Sequence, residues 1–205
     1  MLPPRVFLKT RRFWTAVAVS VALTMCFESF YTRSFSMPSI DYSWDTPLSY
    51  FLGPILGTVC VMVVNSAAPQ MERLAVAPIK CCRTELVVCL CVIQWFAMYV
   101  FHFVANALIL KTPMTSQDLT TLFVSTLAFQ ALGMFSGVLF SSLKTLILPG
   151  VALMTCVGFG FNRDTTPRPF HVLMGHTTPV AVLIVACWVV AVVCLLTVRP
   201  SICEK

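Results

Sequence analysis

Six long apolar stretches alternate with short polar segments along the chain. A helix that crosses a bilayer needs about 17–25 predominantly apolar residues, and each stretch falls in that range. The predicted spans are Phe13–Phe30, Leu48–Val64, Leu86–Leu110, Leu119–Phe140, Leu143–Phe161 and Pro179–Val198. The pattern predicts an all-α membrane protein with six transmembrane helices, in a single domain over residues 1–205. The first stretch is interpreted as an uncleaved span rather than a signal peptide, because no small-residue cleavage site follows it cleanly.

The composition agrees with this prediction, since 58% of the 205 residues are hydrophobic and only 11% are charged. An average soluble domain is about 45–50% apolar and about 25% charged. The balance excludes a disordered chain and argues against a water-soluble globule. The net charge of +6 does not indicate nucleic-acid binding, because the chain has no run of like charges and no basic helix interleaved with stacking aromatics.

The basic residues predict the orientation of the spans. With the N-terminus in the cytoplasm, ten of the 14 Lys and Arg residues fall in cytoplasmic segments. The other four lie outside and are Arg33, Lys111, Arg163 and Arg168. Because short cytoplasmic loops carry the excess of Lys and Arg, both termini are predicted to be cytoplasmic. We therefore expect a multi-pass protein of the plasma (inner) membrane, with the lipid bilayer as its surroundings.

Residues that carry chemistry are sparse. The ten cysteines lie in apolar stretches or in predicted cytoplasmic segments, so they are interpreted as small packing side chains at helix interfaces. Cys89 and Cys91 have no second Cys pair that would complete a metal site. No paired His, Asp or Glu is predicted near one membrane face. The sequence therefore predicts no catalytic residue and no metal ligand.

Several polar residues lie inside the predicted spans: Gln94, Tyr99, His102 and Asn106 in the third, and Gln130 in the fourth. Polar groups at bilayer depth face protein or a cavity rather than lipid. Two interpretations stay open, a substrate path or dimer seam on the one hand and hydrogen bonding between helices on the other. The glycine pairs Gly53/Gly57 and Gly133/Gly137 have the small-xxx-small spacing of close helix packing.

The longest predicted cytoplasmic loop covers residues 65–85. Within it, residues 70–77 are predicted to form a short amphipathic helix that ends at Pro78. Glu72 and Arg73 lie within this helix, and three further charges, Lys80, Arg83 and Glu85, follow it in the chain. Such a helix either lies at the headgroup level, with its charges solvated, or docks on a soluble partner.

The order of these parts resembles the permease subunit of a type-two, exporter-like ABC transporter. A basic amphipathic N-terminus, residues 1–12, leads into Phe13-Trp14. Glu72-Arg73-Leu74 followed by Ala77-Pro78-Ile79-Lys80 is similar to the family's coupling helix and the stretch after it. Thr84-Glu85-Leu86 then opens the third span, as in the family. The chain departs from the family at Leu74-Ala75, where a Gly-Thr pair is usual.

The resemblance implies a permease that exports a substrate and is not itself an enzyme. The chain lacks the Gly-x-x-x-x-Gly-Lys-Ser/Thr loop that cradles phosphates, so it binds no cofactor, and ATP and magnesium would belong to a separate ABC ATPase subunit. The implied contacts with that subunit are Glu72, Arg73, Pro78, Lys80, Arg83 and Glu85. A homodimer, or a heterodimer with a second permease, is implied as well.

Residues 162–178 would form extracytoplasmic re-entrant helices in the resembled family. Two other classes of protein remain as alternatives to the permease. One is an integral membrane protein with a structural or assembly role and no transport, and the other is a membrane-embedded enzyme.

Overall fold

The computed structural model describes residues 12–29, 34–38, 43–47, 51–64, 79–108, 116–140, 146–159 and 178–197. Within these ranges the chain forms six helices and a two-stranded hairpin. The helices are α1 (Phe13–Ser29), α2 (Leu52–Val64), α3 (Ile79–Leu108), α4 (Ser116–Leu139), α5 (Ile147–Phe159) and α6 (Thr178–Thr197). The strands are β1 (Ser34–Pro38) and β2 (Ser43–Pro47).

Each predicted apolar stretch overlaps one helix of the structure, so the helical architecture is confirmed. Three helices are long and apolar enough to cross a membrane, over Cys82–Val104 in α3, Leu119–Leu139 in α4 and Pro179–Thr197 in α6. The apolar parts of α1, α2 and α5 are shorter. These three long apolar helices indicate a membrane protein.

α3 begins earlier than the predicted third span. It begins at Ile79, seven residues before Leu86, so residues 79–85 are helical rather than part of the predicted loop. Hydropathy marks where an apolar stretch ends, whereas a helix continues through polar residues until a breaker stops it. Lys80, Arg83 and Glu85 therefore lie on α3. At ~1.5 Å per residue its 30 residues extend about 45 Å, which exceeds the ~30 Å hydrocarbon core.

The hairpin between α1 and α2 adds strand to a fold predicted as all-α. β1 and β2 pair antiparallel, with Ser34 opposite Pro47 and Pro38 opposite Ser43. The sequence carried a signal for it, since polar and apolar residues alternate in Ser34-Phe35-Ser36-Met37, and a period of two is typical of a strand.

The contacts between helices show that α1, α2, α3 and α4 run in alternating directions. One buried cluster combines residues from the starts of α1 and α3 with residues from the ends of α2, α4 and α6. Its members at that end include Phe13, Val64, Val87, Val138 and Leu195. We call this the basic end of the bundle, because Arg12 and Arg83 also lie there.

A second cluster forms the opposite end of the bundle. It joins Leu52 at the start of α2 and Leu122 in the first part of α4 to Met98 in the second half of α3, and Phe27 near the end of α1 packs against it. α1 and α3 thus run away from the basic end, and α2 and α4 run back towards it. α2 and α4 pack against each other along their lengths and form the centre of the bundle.

Candidate functional site

A cluster of hydrogen-bonded polar side chains lies at the centre of the bundle, where α1, α2, α3 and α4 meet. We call it the central polar cluster, and it consists of Ser20, Cys60, Gln94, Trp95 and Gln130. Ser20, Gln94 and Gln130 are completely buried. Gln94 and Gln130 are two of the five polar residues that the sequence had placed inside the third and fourth spans.

Gln94 occupies the middle of this cluster and uses every hydrogen-bonding position of its amide. Its Nε2 donates to Ser20 Oγ at 2.9 Å and to the Leu56 carbonyl oxygen at 3.2 Å. Its Oε1 accepts from Gln130 Nε2 at 2.7 Å and from Cys60 Sγ at 3.6 Å. An amide has two N–H donors and two acceptor lone pairs, so Gln94 is fully satisfied.

Trp95, the next residue along α3, extends the cluster towards α6. Its Nε1 donates to Gln130 Oε1 at 3.1 Å. Its ring lies 5.3 Å from that of Trp188 on α6 and 5.3 Å from that of Phe123 on α4. Both distances lie in the range of favourable aromatic pairs. The indole therefore ties α4 to α3 by a hydrogen bond and α6 to α3 by ring contact.

The side chains of the cluster link helices to one another through hydrogen bonds. The amides, the hydroxyl and the indole of the cluster do not ionise near neutral pH. Buried polar groups that are all paired hold helices in one arrangement. Cys60 Sγ also lies 3.8 Å from Cys91 Sγ, which adds a sulfur contact between α2 and α3. The arrangement holds four helices together and leaves no opening at the two glutamines.

The four glycines singled out in the sequence all lie where α2 meets α4. A methyl group on Gly57 would collide with the backbone of Phe129, and one on Gly133 would lie 2.5 Å from the Gly57 carbonyl oxygen. A methyl group on Gly53 would lie 2.5 Å from Ser125 Oγ, and one on Gly137 2.5 Å from Val64. The absence of side chains at these positions lets the two backbones approach closely.

The remaining polar residues of the third predicted span are placed differently from one another. His102 is buried, with 7% of its surface exposed, while Tyr99 is 61% exposed on the outer surface of α3. Tyr99 lines a groove of about 210 Å³ between α3 and α4, together with Trp95 and Phe123. Asn106 lies on α3, and its side chain is outside the described part of the structure. Tyr99 and His102 therefore do not line a common internal path.

Three of the charges predicted to contact an ATPase, Lys80, Arg83 and Glu85, lie on the described part of α3. Arg83 is 3% exposed, and its Nη2 donates to the Leu195 carbonyl oxygen of α6 at 2.7 Å. Glu85 is exposed on the surface of α3. Lys80 lies in the first turn of α3. Glu72, Arg73 and Pro78 lie outside the described residues, as do residues 1–11 and 162–177.

Sequence reasoning missed three members of the central polar cluster. A Trp at bilayer depth carries an N–H that needs a partner, so Trp95 gave a usable signal. Ser20 gave a weaker signal, because the same helix also carries the hydroxyls of Thr15 and Thr24. Cys60 gave none, because its position looks like that of any small apolar side chain.

No family model matches the chain, and neither a curated protein nor a solved structure matches it.

Proposed function

We propose that this chain is the permease subunit of an ABC exporter. It would cross the plasma membrane six times with both termini in the cytoplasm, and a separate ABC ATPase would hydrolyse ATP. The observation that carries this proposal is that three helix ends, to which two segments of the chain connect, lie at the same end of the bundle. α1 begins, α2 ends and α3 begins at the same basic end, and residues 1–11 and 65–78 adjoin these helix ends in the chain.

The geometry of that end supports a single partner for both segments. α1 begins at Phe13, α2 ends at Val64 and α3 begins at Ile79. Phe13 and Val64 belong to one buried cluster together with Val87 from the beginning of α3. A soluble subunit placed below this end can therefore contact the N-terminal segment and the loop together, which is what the resembled family requires of its ATPase.

The charges favour the cytoplasm as the compartment that this end faces. Arg12 and Arg83 lie there, and the chain connected to it carries Arg73 and Lys80. Positive charge near the ends of membrane helices favours the cytoplasmic side. ATP is a cytoplasmic substrate, so this orientation puts the loop on the side where an ATPase works.

The closed centre of the bundle favours a transport path between two subunits. Gln94 and Gln130 are completely buried and bonded to each other, so the centre of one chain is filled. A path would then run along the outer surfaces of two permease chains that face each other. This agrees with the homodimer or heterodimer that the resemblance implies, with substrate moving outward between the two chains.

The test is isolation of the native complex in mild detergent through a tag on this chain. We expect an ABC ATPase to co-purify with the wild-type chain and to be lost from the double variant Glu72→Ala/Arg73→Ala. A matched control is Arg163→Ala/Asp164→Ala, which removes an adjacent acid–base pair from a predicted outside segment.

The control variant should retain the ATPase. If the wild-type chain brings down no ATPase, the permease proposal is wrong and a structural or assembly role takes its place. If the ATPase is present but both double variants retain it, Glu72 and Arg73 are not the contact.

A further inference from the structure

Arg83 lies on the interior face of α3. It shares that face with Val87, Leu90 and Gln94, all completely buried, whereas Glu85 projects outward two residues later. A buried arginine in a membrane bundle is costly unless its guanidinium is hydrogen-bonded. Arg83 meets this requirement in part, since its Nη2 donates to the Leu195 carbonyl oxygen at 2.7 Å while its buried Nε has no hydrogen-bond partner among the described residues.

The acceptor of that bond lies at a special position in α6. The helix ends at Thr197, so Leu195 is among the last four residues, whose carbonyl groups have no N–H partner within the helix. These carbonyl groups also carry the negative end of the helix dipole. A guanidinium therefore both satisfies a free carbonyl and stabilises the charge at this helix end.

We propose that Arg83 is a positioning residue that fastens the last turn of α6 to the start of α3, so that a displacement of the start of α3, which follows the proposed ATPase-contact loop in the chain, also moves α6. α3 is one continuous helix from Ile79, so a displacement of its first turn carries Arg83 with it. The bond to Leu195 passes that displacement to α6. The contact itself is independent of the proposed function, whereas the role of the loop as the source of movement rests on it.

The contact is tested on the purified full chain in lipid nanodiscs by amide hydrogen exchange. Arg83→Met removes the bond while keeping the length of the side chain. We expect exchange in the last turn of α6 to accelerate about tenfold, the loss expected for one hydrogen bond to a charged group. Arg83→Lys keeps the charge without the planar fork and should accelerate exchange by a smaller factor.

Arg12→Met is the matched control, because it removes an exposed arginine from the same end of the bundle. It should leave exchange in α6 unchanged. The contact is refuted if Arg83→Met and Arg83→Lys both leave the last turn of α6 at the wild-type rate. It is equally refuted if exchange rises uniformly in all helices, since that would report general loss of stability rather than release of one helix end.

The transmission of movement is tested on the complex with its ATPase, trapped with ATP and vanadate. In the wild type, exchange should change both at the start of α3 and in the last turn of α6. In Arg83→Met it should change only in α3, and a response of α6 that persists in this variant overturns the proposal. If no ATPase is recovered, the proposed function fails, while the experiment on the chain alone still decides whether Arg83 fastens α6.

Discussion

α4 and α6 pack side by side, yet α4 is mostly buried among other helices and α6 is mostly exposed. Of the residues in the most apolar stretch of α4, 72% are buried inside the protein, against 17% of those in the corresponding stretch of α6. α4 carries Gln130, Gly133 and several Ser and Thr residues, while the apolar run of α6 from Val180 to Leu196 has no Ser, Thr, Asn, Gln or charged residue. The helix at the protein's centre is thus the more polar of the two.

This difference follows from the solvent. Lipid tails are as apolar as a valine side chain, so burying Val or Leu against protein gains little free energy over leaving it in lipid. A helix at the centre is therefore held by close backbone approach and by hydrogen bonds. A helix at the periphery needs only an apolar surface, and α6 provides one with exposed Val182, Val185, Val189 and Val193.

The largest effect is expected from a charge on the outer face of α6. Val189 is half-exposed near the middle of the helix, and a Lys at the centre of a membrane helix costs about 2.5–3.5 kcal/mol of insertion free energy. Val189→Lys should therefore strongly reduce insertion of α6, measured with a glycosylation reporter fused after the helix.

The control for this charge is Thr197→Lys at the end of α6. A Lys there reaches the interface with its long side chain, so insertion should stay close to the wild-type level. Normal insertion of Val189→Lys would show that this face of α6 does not lie in lipid.

A smaller effect is expected where α2 meets α4. Gly57→Ala places a methyl group against the Phe129 backbone, and overpacking of this kind costs about 1–3 kcal/mol of unfolding free energy. Gly150→Ala on α5 is the same substitution in open space, with nothing within 4 Å of the added methyl group. Thermal unfolding in detergent should show a lower midpoint for Gly57→Ala alone, and equal midpoints for both variants would contradict the close approach.

The sequence predicted the helices better than it predicted their partners. Long apolar stretches and small-xxx-small spacing are local patterns, so all six helices and the four packing glycines could be recognised. Which polar group meets which is set by the packing of distant segments: Gln94 bonds to Ser20, 74 residues away, and Arg83 bonds to a carbonyl 112 residues away. Arg83 resembled a loop charge because hydropathy alone put it outside the span.

The smallest expected effect is the coupling energy between Gln94 and Gln130, and it is the most specific test of the contrast between α4 and α6. The apolar run of α6 has no glutamine to replace, whereas a Gln→Leu change on α3 or α4 leaves buried partners unpaired. Gln94→Leu removes the acceptor of the 2.7 Å bond from Gln130 Nε2. Each single variant should lower the unfolding free energy by about 1–3 kcal/mol, the usual cost of an unsatisfied buried group.

The double variant Gln94→Leu/Gln130→Leu isolates the bond itself, because it removes both partners. In a double-mutant cycle the two changes should fall short of additivity by about 0.6 kcal/mol, the average for hydrogen bonds between membrane helices. Thr155→Ala on α5 is a suitable control, since its hydroxyl bonds only within its own helix and should combine additively with Gln94→Leu. Strict additivity of the two glutamine changes would show that the bond between Gln94 and Gln130 does not help to hold α3 against α4.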